Sequence, residues 1–101
     1  MIPKYAGFFW YRPDQYARFR AASKDSHKMP DTHAHFLQLA EHGMQEARLR
    51  GWVPVKIDVD IDVFLAWCRA GGRDVNAESR GEYANERVGD LLRAGALPAG
   101  D

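Results

Sequence analysis

From Val53 to Val63 an aliphatic side chain stands at every odd position (Val53, Val55, Ile57, Val59, Ile61, Val63), with Pro54, Lys56, Asp58, Asp60 and Asp62 between them. Successive side chains on a strand point to opposite faces, so a strict period of two specifies a half-buried β-strand with one dry face and one acidic, wet face. The run then passes into Phe64-Leu65-Ala66-Trp67-Cys68, where apolar positions 61, 64, 65 and 68 follow helical spacing. Strand therefore gives way to helix near Asp60.

The same logic places the other elements. Tyr5-Ala6-Gly7-Phe8-Phe9-Trp10-Tyr11 is aromatic-rich and stops at Arg12-Pro13, which predicts a first strand. Pro13 suits the first turn of a short helix over about 13–23, and the polar stretch ending in Pro30 reads as a loop. Asp31 or Thr32 can cap a longer helix over about 32–50, with Phe36, Leu37, Ala40, Met44 and Ala47 facing inward. Asp60 caps the third helix and Gly71-Gly72 ends it. Asn76 or Ser79 can cap a fourth, and Ser79 with Glu82 has the spacing of a reciprocal capping box. The tail from Gly95 to Asp101 has nothing to hold it and is expected to fray.

The 101 residues, 46% of them apolar, fit one α+β domain over 1–101 in the order β-α-α-β-α-α, with three to four helices. If the first two helices form a hairpin along the sheet, the two principal strands come out antiparallel. Two strands alone are marginal in water, so the sheet is expected to be well covered by helices or extended by dimerisation through a strand edge.

The run Val55-Lys56-Ile57-Asp58-Val59-Asp60-Ile61-Asp62-Val63-Phe64-Leu65-Ala66-Trp67-Cys68, with the block Leu39-Ala40-Glu41-His42-Gly43 before it, resembles a stretch of small bacterial proteins of uncharacterised function. The resemblance implies a cytoplasmic bacterial setting and no activity. The lack of an apolar run of membrane-spanning length and of a leader-like start points the same way, to no membrane partner. A lone cysteine, Cys68, falls on an apolar stripe and reads as buried filler.

Each candidate chemistry meets a plainer alternative. Asp58, Asp60 and Asp62, about 6.5 to 7 Å apart if all lie on one strand face, could bridge a hydrated divalent cation, and a metal-dependent nucleic-acid-acting protein is the rival that follows. A calcium loop starting at Asp58 is excluded, because it would need glycine and glutamate where Val63 and Arg69 stand. The plainer reading is a solvated strand face plus a helix cap. Of the four histidines, His35 and His42 share a helix but lie about 10.5 Å apart along its axis, too far to hold one zinc ion. No nucleophile elbow and no phosphate-cradling glycine loop occur, so no catalytic residue and no cofactor is assigned. Glu78, Glu82 and Glu86, interleaved with Arg80 and Arg87, read as a solvated helix face.

The binding-grade pattern is basic and aromatic: Trp10, Arg12, Arg18, Arg20 and Lys24, with Tyr11 and Tyr16 among them. Aromatic rings stack on bases and guanidinium groups hold phosphate, so these five residues are the candidate nucleic-acid surface, set against simple core packing. Residues 1–56 carry nine Lys/Arg against five acids, and residues 57–101 reverse that balance, so a neutral chain is electrically lopsided. Together these observations favour a non-enzymatic protein-interaction or accessory module, self-associating or binding another protein, with charge setting the orientation.

Overall fold

A computed structural model describes residues 3–97. β1 (Lys4–Tyr11) leads through a 3-10 turn at Pro13–Gln15 to α1 (Tyr16–Ala22), and a second such turn at Ser26–Lys28 precedes α2 (His33–Leu49). β2 (Trp52–Val59), α3 (Ile61–Ala70) and α4 (Ala77–Arg93) complete the described chain.

The expected antiparallel pairing is wrong. β1 and β2 run parallel, in a register that sets Lys4 beside Trp52, Gly7 beside Val55 and Tyr11 beside Val59. The reason lies in the length of α1. Its 7 residues stay at the carboxyl end of the strands, where Tyr16 packs edge-on to Tyr11 with ring centroids 5.1 Å apart. Only the 17-residue α2 spans the sheet, about 25 Å at the usual rise. It starts beside the end of β1, where His33 Nε2 meets the Tyr11 carbonyl at 2.9 Å, and passes Phe8 at Gly43. It delivers the chain back to the beginning of the sheet, so a single full-length crossover makes the strands parallel.

Phe8 and Trp10 face α2, and their register partners Lys56 and Asp58 share that face. The face that the alternation marks as wet is therefore covered in part by a helix. Tyr5, Gly7, Phe9 and Tyr11 face the other way, toward α4, α3 and α1. There Phe9 meets Phe19, Phe64 and Tyr83 at centroid distances of 5.6, 4.9 and 6.1 Å. Phe19, Val59, Ile61, Phe64 and Cys68 are sealed from solvent at the centre of this layer. Gly7 is what lets α4 come so close: a Cβ there would lie 2.8 Å from Val88 Cγ2 and 2.9 Å from the Ala84 carbonyl oxygen.

The fourth helix is capped by Asn76, which accepts from the Ser79 amide while the Ser79 hydroxyl accepts from the Asn76 amide. Glu82, expected as the second member of that box, instead holds Arg73 Nε at 2.9 Å. Of the tail expected to fray, residues 98–101 lie outside the described residues. The portion before them is held: Gly95 turns at φ 69°, the Ala96 amide donates to the Leu91 carbonyl at 2.9 Å, and Leu97 packs on the core.

Candidate functional site

The basic and acidic candidates converge on the carboxyl end of the strands, and there they engage each other. β1 ends at Tyr11 and releases Arg12 beside the end of β2. Its Nε and Nη2 donate to the two carboxylate oxygens of Asp58 at 3.1 and 2.8 Å, and its Nη1 reaches Asp60 Oδ1 at 3.2 Å. A planar guanidinium matches a carboxylate in this two-pronged way, which makes the pair directional as well as attractive. Asp60 is the cap of α3, accepting from the Val63 amide at 3.1 Å, and it also accepts from Gln15 Nε2 at 2.9 Å. Gln15 completes the loop by accepting from the Ile61 amide at 2.9 Å. Asp62 already lies in the first turn of α3 and takes Arg18 Nη2 at 2.9 Å.

Strand geometry ends at Val59, so the three carboxylates do not line one strand face. Their charge is answered by Arg12 and Arg18. The Arg12 hydrogen bond holds Asp58 below the ordinary carboxylate range, and Asp60 is held down first by Gln15 and then by the Val63 amide. Among the described residues no group of three or more His, Cys, Asp or Glu side chains is placed to hold a metal ion.

The remaining basic candidates are dispersed. Lys24 Nζ pairs with Asp74 at 2.8 Å, before α4. Arg20 lines a cavity of about 510 Å³ with Tyr16, Ser26 and His33, and reaches Asp31 only at 3.5 Å. Trp10 lies on the α2 side of the sheet, edge-on to Phe36 at 5.4 Å with the Lys56 ammonium 4.6 Å from its ring centroid. Beneath the carboxyl end, Arg80 grips Asp25 with Nη1 at 3.1 Å and Nη2 at 2.6 Å, and only 10% and 18% of the two side chains is exposed. The lopsided charge of the sequence is thus answered in part by the fold, since Arg12, Arg18 and Lys24 pair with acids of the far portion of the chain, while Asp25 with Arg80 crosses in the opposite sense.

The opposite end of the sheet is open. Leu49, Trp52 and Val53, where α2 turns into β2, are 73%, 40% and 40% exposed. Lys4, Arg48 and Arg50 have no carboxylate partner among the described residues, Lys4 resting instead 5.7 Å from the Trp52 ring centroid. A groove of about 460 Å³ lies beside β1, lined by its Tyr5, Ala6, Gly7 and Phe8, by Gly43, Glu46 and Ala47 of α2 with the capping Arg50, by Trp52 at the start of β2 and by Asn85 of α4. Sequence reasoning placed Tyr5–Phe8 in the first strand, Ala47 on the inward face of the second helix and a close neighbour at Gly43, but assigned none of these residues to a site. The two glycines were the available signal, for Gly43 faces the Phe8 ring, 3.2 Å from where its Cβ would be, just as Gly7 faces α4.

Compared with known proteins, the chain matches no family model, no curated protein and no solved structure.

Proposed function

We propose that this chain is a non-enzymatic protein-interaction module that works by accepting a strand at the open edge of its two-stranded sheet, from a second copy or from another protein. The observation that carries the reading is the groove along β1. Four consecutive strand residues lie along it, and a strand edge presents backbone donors and acceptors ready to pair with an added chain. The reading is also supported by the carboxyl end, where the charged side chains that could serve acid, base or phosphate chemistry hold one another instead.

No helix among the described residues is long and apolar enough to cross a membrane. A cytoplasmic setting belongs to the same proposal, supported by a lone thiol, Cys68, that is sealed in the core.

The test is amide NMR of the labelled protein, alone across a concentration series and then with a pool of random hexapeptides, beside size exclusion with paired 260 and 280 nm detection. The expected result is that Tyr5 to Phe8 respond to concentration, to peptide or to both. Silence at those amides in both series would overturn the reading, as would co-eluting nucleic acid that high salt removes.

A further inference from the structure

Arg20 stands apart from the matched charges around it. Arg12 and Arg80 each hold a carboxylate through two nitrogens. A guanidinium carries only donors, and every donor taken out of water needs an acceptor. Of the Arg20 nitrogens, Nη2 alone has a partner among the described residues, Asp31 Oδ1 at 3.5 Å, beyond the limit of about 3.2 Å for an ordinary N–H···O bond. Nε is sealed from solvent and meets no acceptor at all. Asp31 is a poor answer to it, since 89% of that side chain lies in solvent. Beside this guanidinium, between α1 and the chain that enters α2, opens the cavity of about 510 Å³, within the usual size range of small-molecule sites.

We propose that this cavity binds a phosphate-type oxyanion, free or as the monoester of a small molecule, with Arg20 as its principal donor. The inference is independent of the strand-edge reading, which concerns the β1 groove. Three further lining groups are uncommitted in complementary ways. The Ser26 hydroxyl has no partner among the described residues. Thr32 Oγ1 accepts from the His35 amide at 3.1 Å, which leaves its O–H to donate. His33 Nε2 meets the Tyr11 carbonyl, so in the neutral ring that nitrogen carries the hydrogen and Nδ1 is left to accept. A carboxylate ligand brings acceptors alone and serves Arg20 but not Nδ1. A phosphate brings more oxygens and, around its second ionisation at about pH 6, an O–H as well. Asp31 stands at the rim, where its charge opposes an anion, and this gives the test a second sign.

The probes are inorganic phosphate, phenyl phosphate and acetate, each titrated at constant ionic strength into the full chain and followed by NMR at the Arg20 Nε–H and the amides of Thr32, His33 and Ala34. The expected result is saturable shifts at those groups with both phosphates and none with acetate. Arg20→Gln should weaken phosphate about 10-fold or more, the usual size of a lost charge-assisted contact, while Arg48→Gln at the far end of α2 changes nothing. Asp31→Asn should tighten it. A tighter phenyl phosphate assigns the cavity to a monoester, and any other order assigns it to the free ion. Acetate binding as well as phosphate, absence of saturable shifts, or equal weakening by Arg20→Gln and Arg48→Gln overturns the proposal. If dichroism shows that Arg20→Gln is unfolded, Asp31→Asn decides, and an unchanged affinity there overturns it too.

Discussion

The two ends of this small sheet are built on opposite plans. At the carboxyl end, where ligand sites of open parallel sheets usually form, Arg12, Gln15, Arg18, Asp58, Asp60 and Asp62 satisfy one another, and Arg80 with Asp25 closes the layer beneath. At the amino end, Leu49, Trp52 and Val53 stay in solvent and the cations nearby have no carboxylate partner among the described residues. Charged residues thus mark structure at one end and availability at the other. A conspicuous cluster of complementary charge is a poor guide to function when its members are already matched, because what remains for a ligand is only what the fold has not used.

The largest effects should come from the closed end. Arg80→Met leaves Asp25 buried without its partner, and the expected loss is about 3 kcal/mol in urea unfolding, typical of breaking a buried pair from one side. The paired change Arg80→Met with Asp25→Leu should recover much of it. If the single variant loses less than about 1 kcal/mol, the carboxyl end is not the anchor that the comparison makes it. Next comes Gly7→Ala, whose added methyl meets the backbone of α4, an immovable neighbour. A loss of about 2 kcal/mol is expected, as for overpacking. Gly81→Ala on the same helix meets nothing within 4 Å and should instead gain about 0.5–1 kcal/mol.

The sequence made much of the closed end legible and little of the open one. The alternation through β2, the cap at Asp60 and the stop at Gly71 are local patterns, and local rules read them. The direction of β2 depends on where α1 docks, which no pattern within α1 reveals. Arg12 and Asp58 are each visible as charges, but their pairing spans 46 positions, so two opposed candidate sites were in fact one closed cluster. Gly7 reads as an interruption of an aromatic strand, and its purpose appears only when α4 arrives from the far end of the chain.

Acid should separate the ends more gently. Asp58 and Asp60 have folded-state affinities for protons lowered by Arg12, Gln15 and the α3 amides, and Asp25 by Arg80. A carboxyl depressed in the folded state contributes stability that is complete above its unfolded value, about 3.9, and is lost as pH falls through the folded one. Stability should therefore hold on descending to about pH 5 and decline below about pH 4. Arg12→Gln should flatten part of that decline, because it returns Asp58 toward its unfolded behaviour. A variant with the same acid limb as the parent would mean that the Arg12 cluster is not engaged in solution.

The smallest effect on stability is the one most telling for function. Leu49 is 73% exposed, so Leu49→Ser removes little buried surface and should move the urea midpoint by no more than about 0.5 kcal/mol, the usual range for a surface position. Trp52 is less exposed and carries the Lys4 contact, so Trp52→Ser should lose somewhat more, about 1 kcal/mol. Neither change touches the carboxyl-end cluster. If the amino end is a working surface, Trp52→Ser, at a residue lining the β1 groove, should weaken strand addition several-fold while far-ultraviolet dichroism is unchanged. Retention of full binding by Trp52→Ser would confine recognition to the β1 backbone. A loss of several kcal/mol on Leu49→Ser would mean that Leu49 is covered in solution, and its coverage by a second copy would then be read directly from a midpoint that rises with protein concentration.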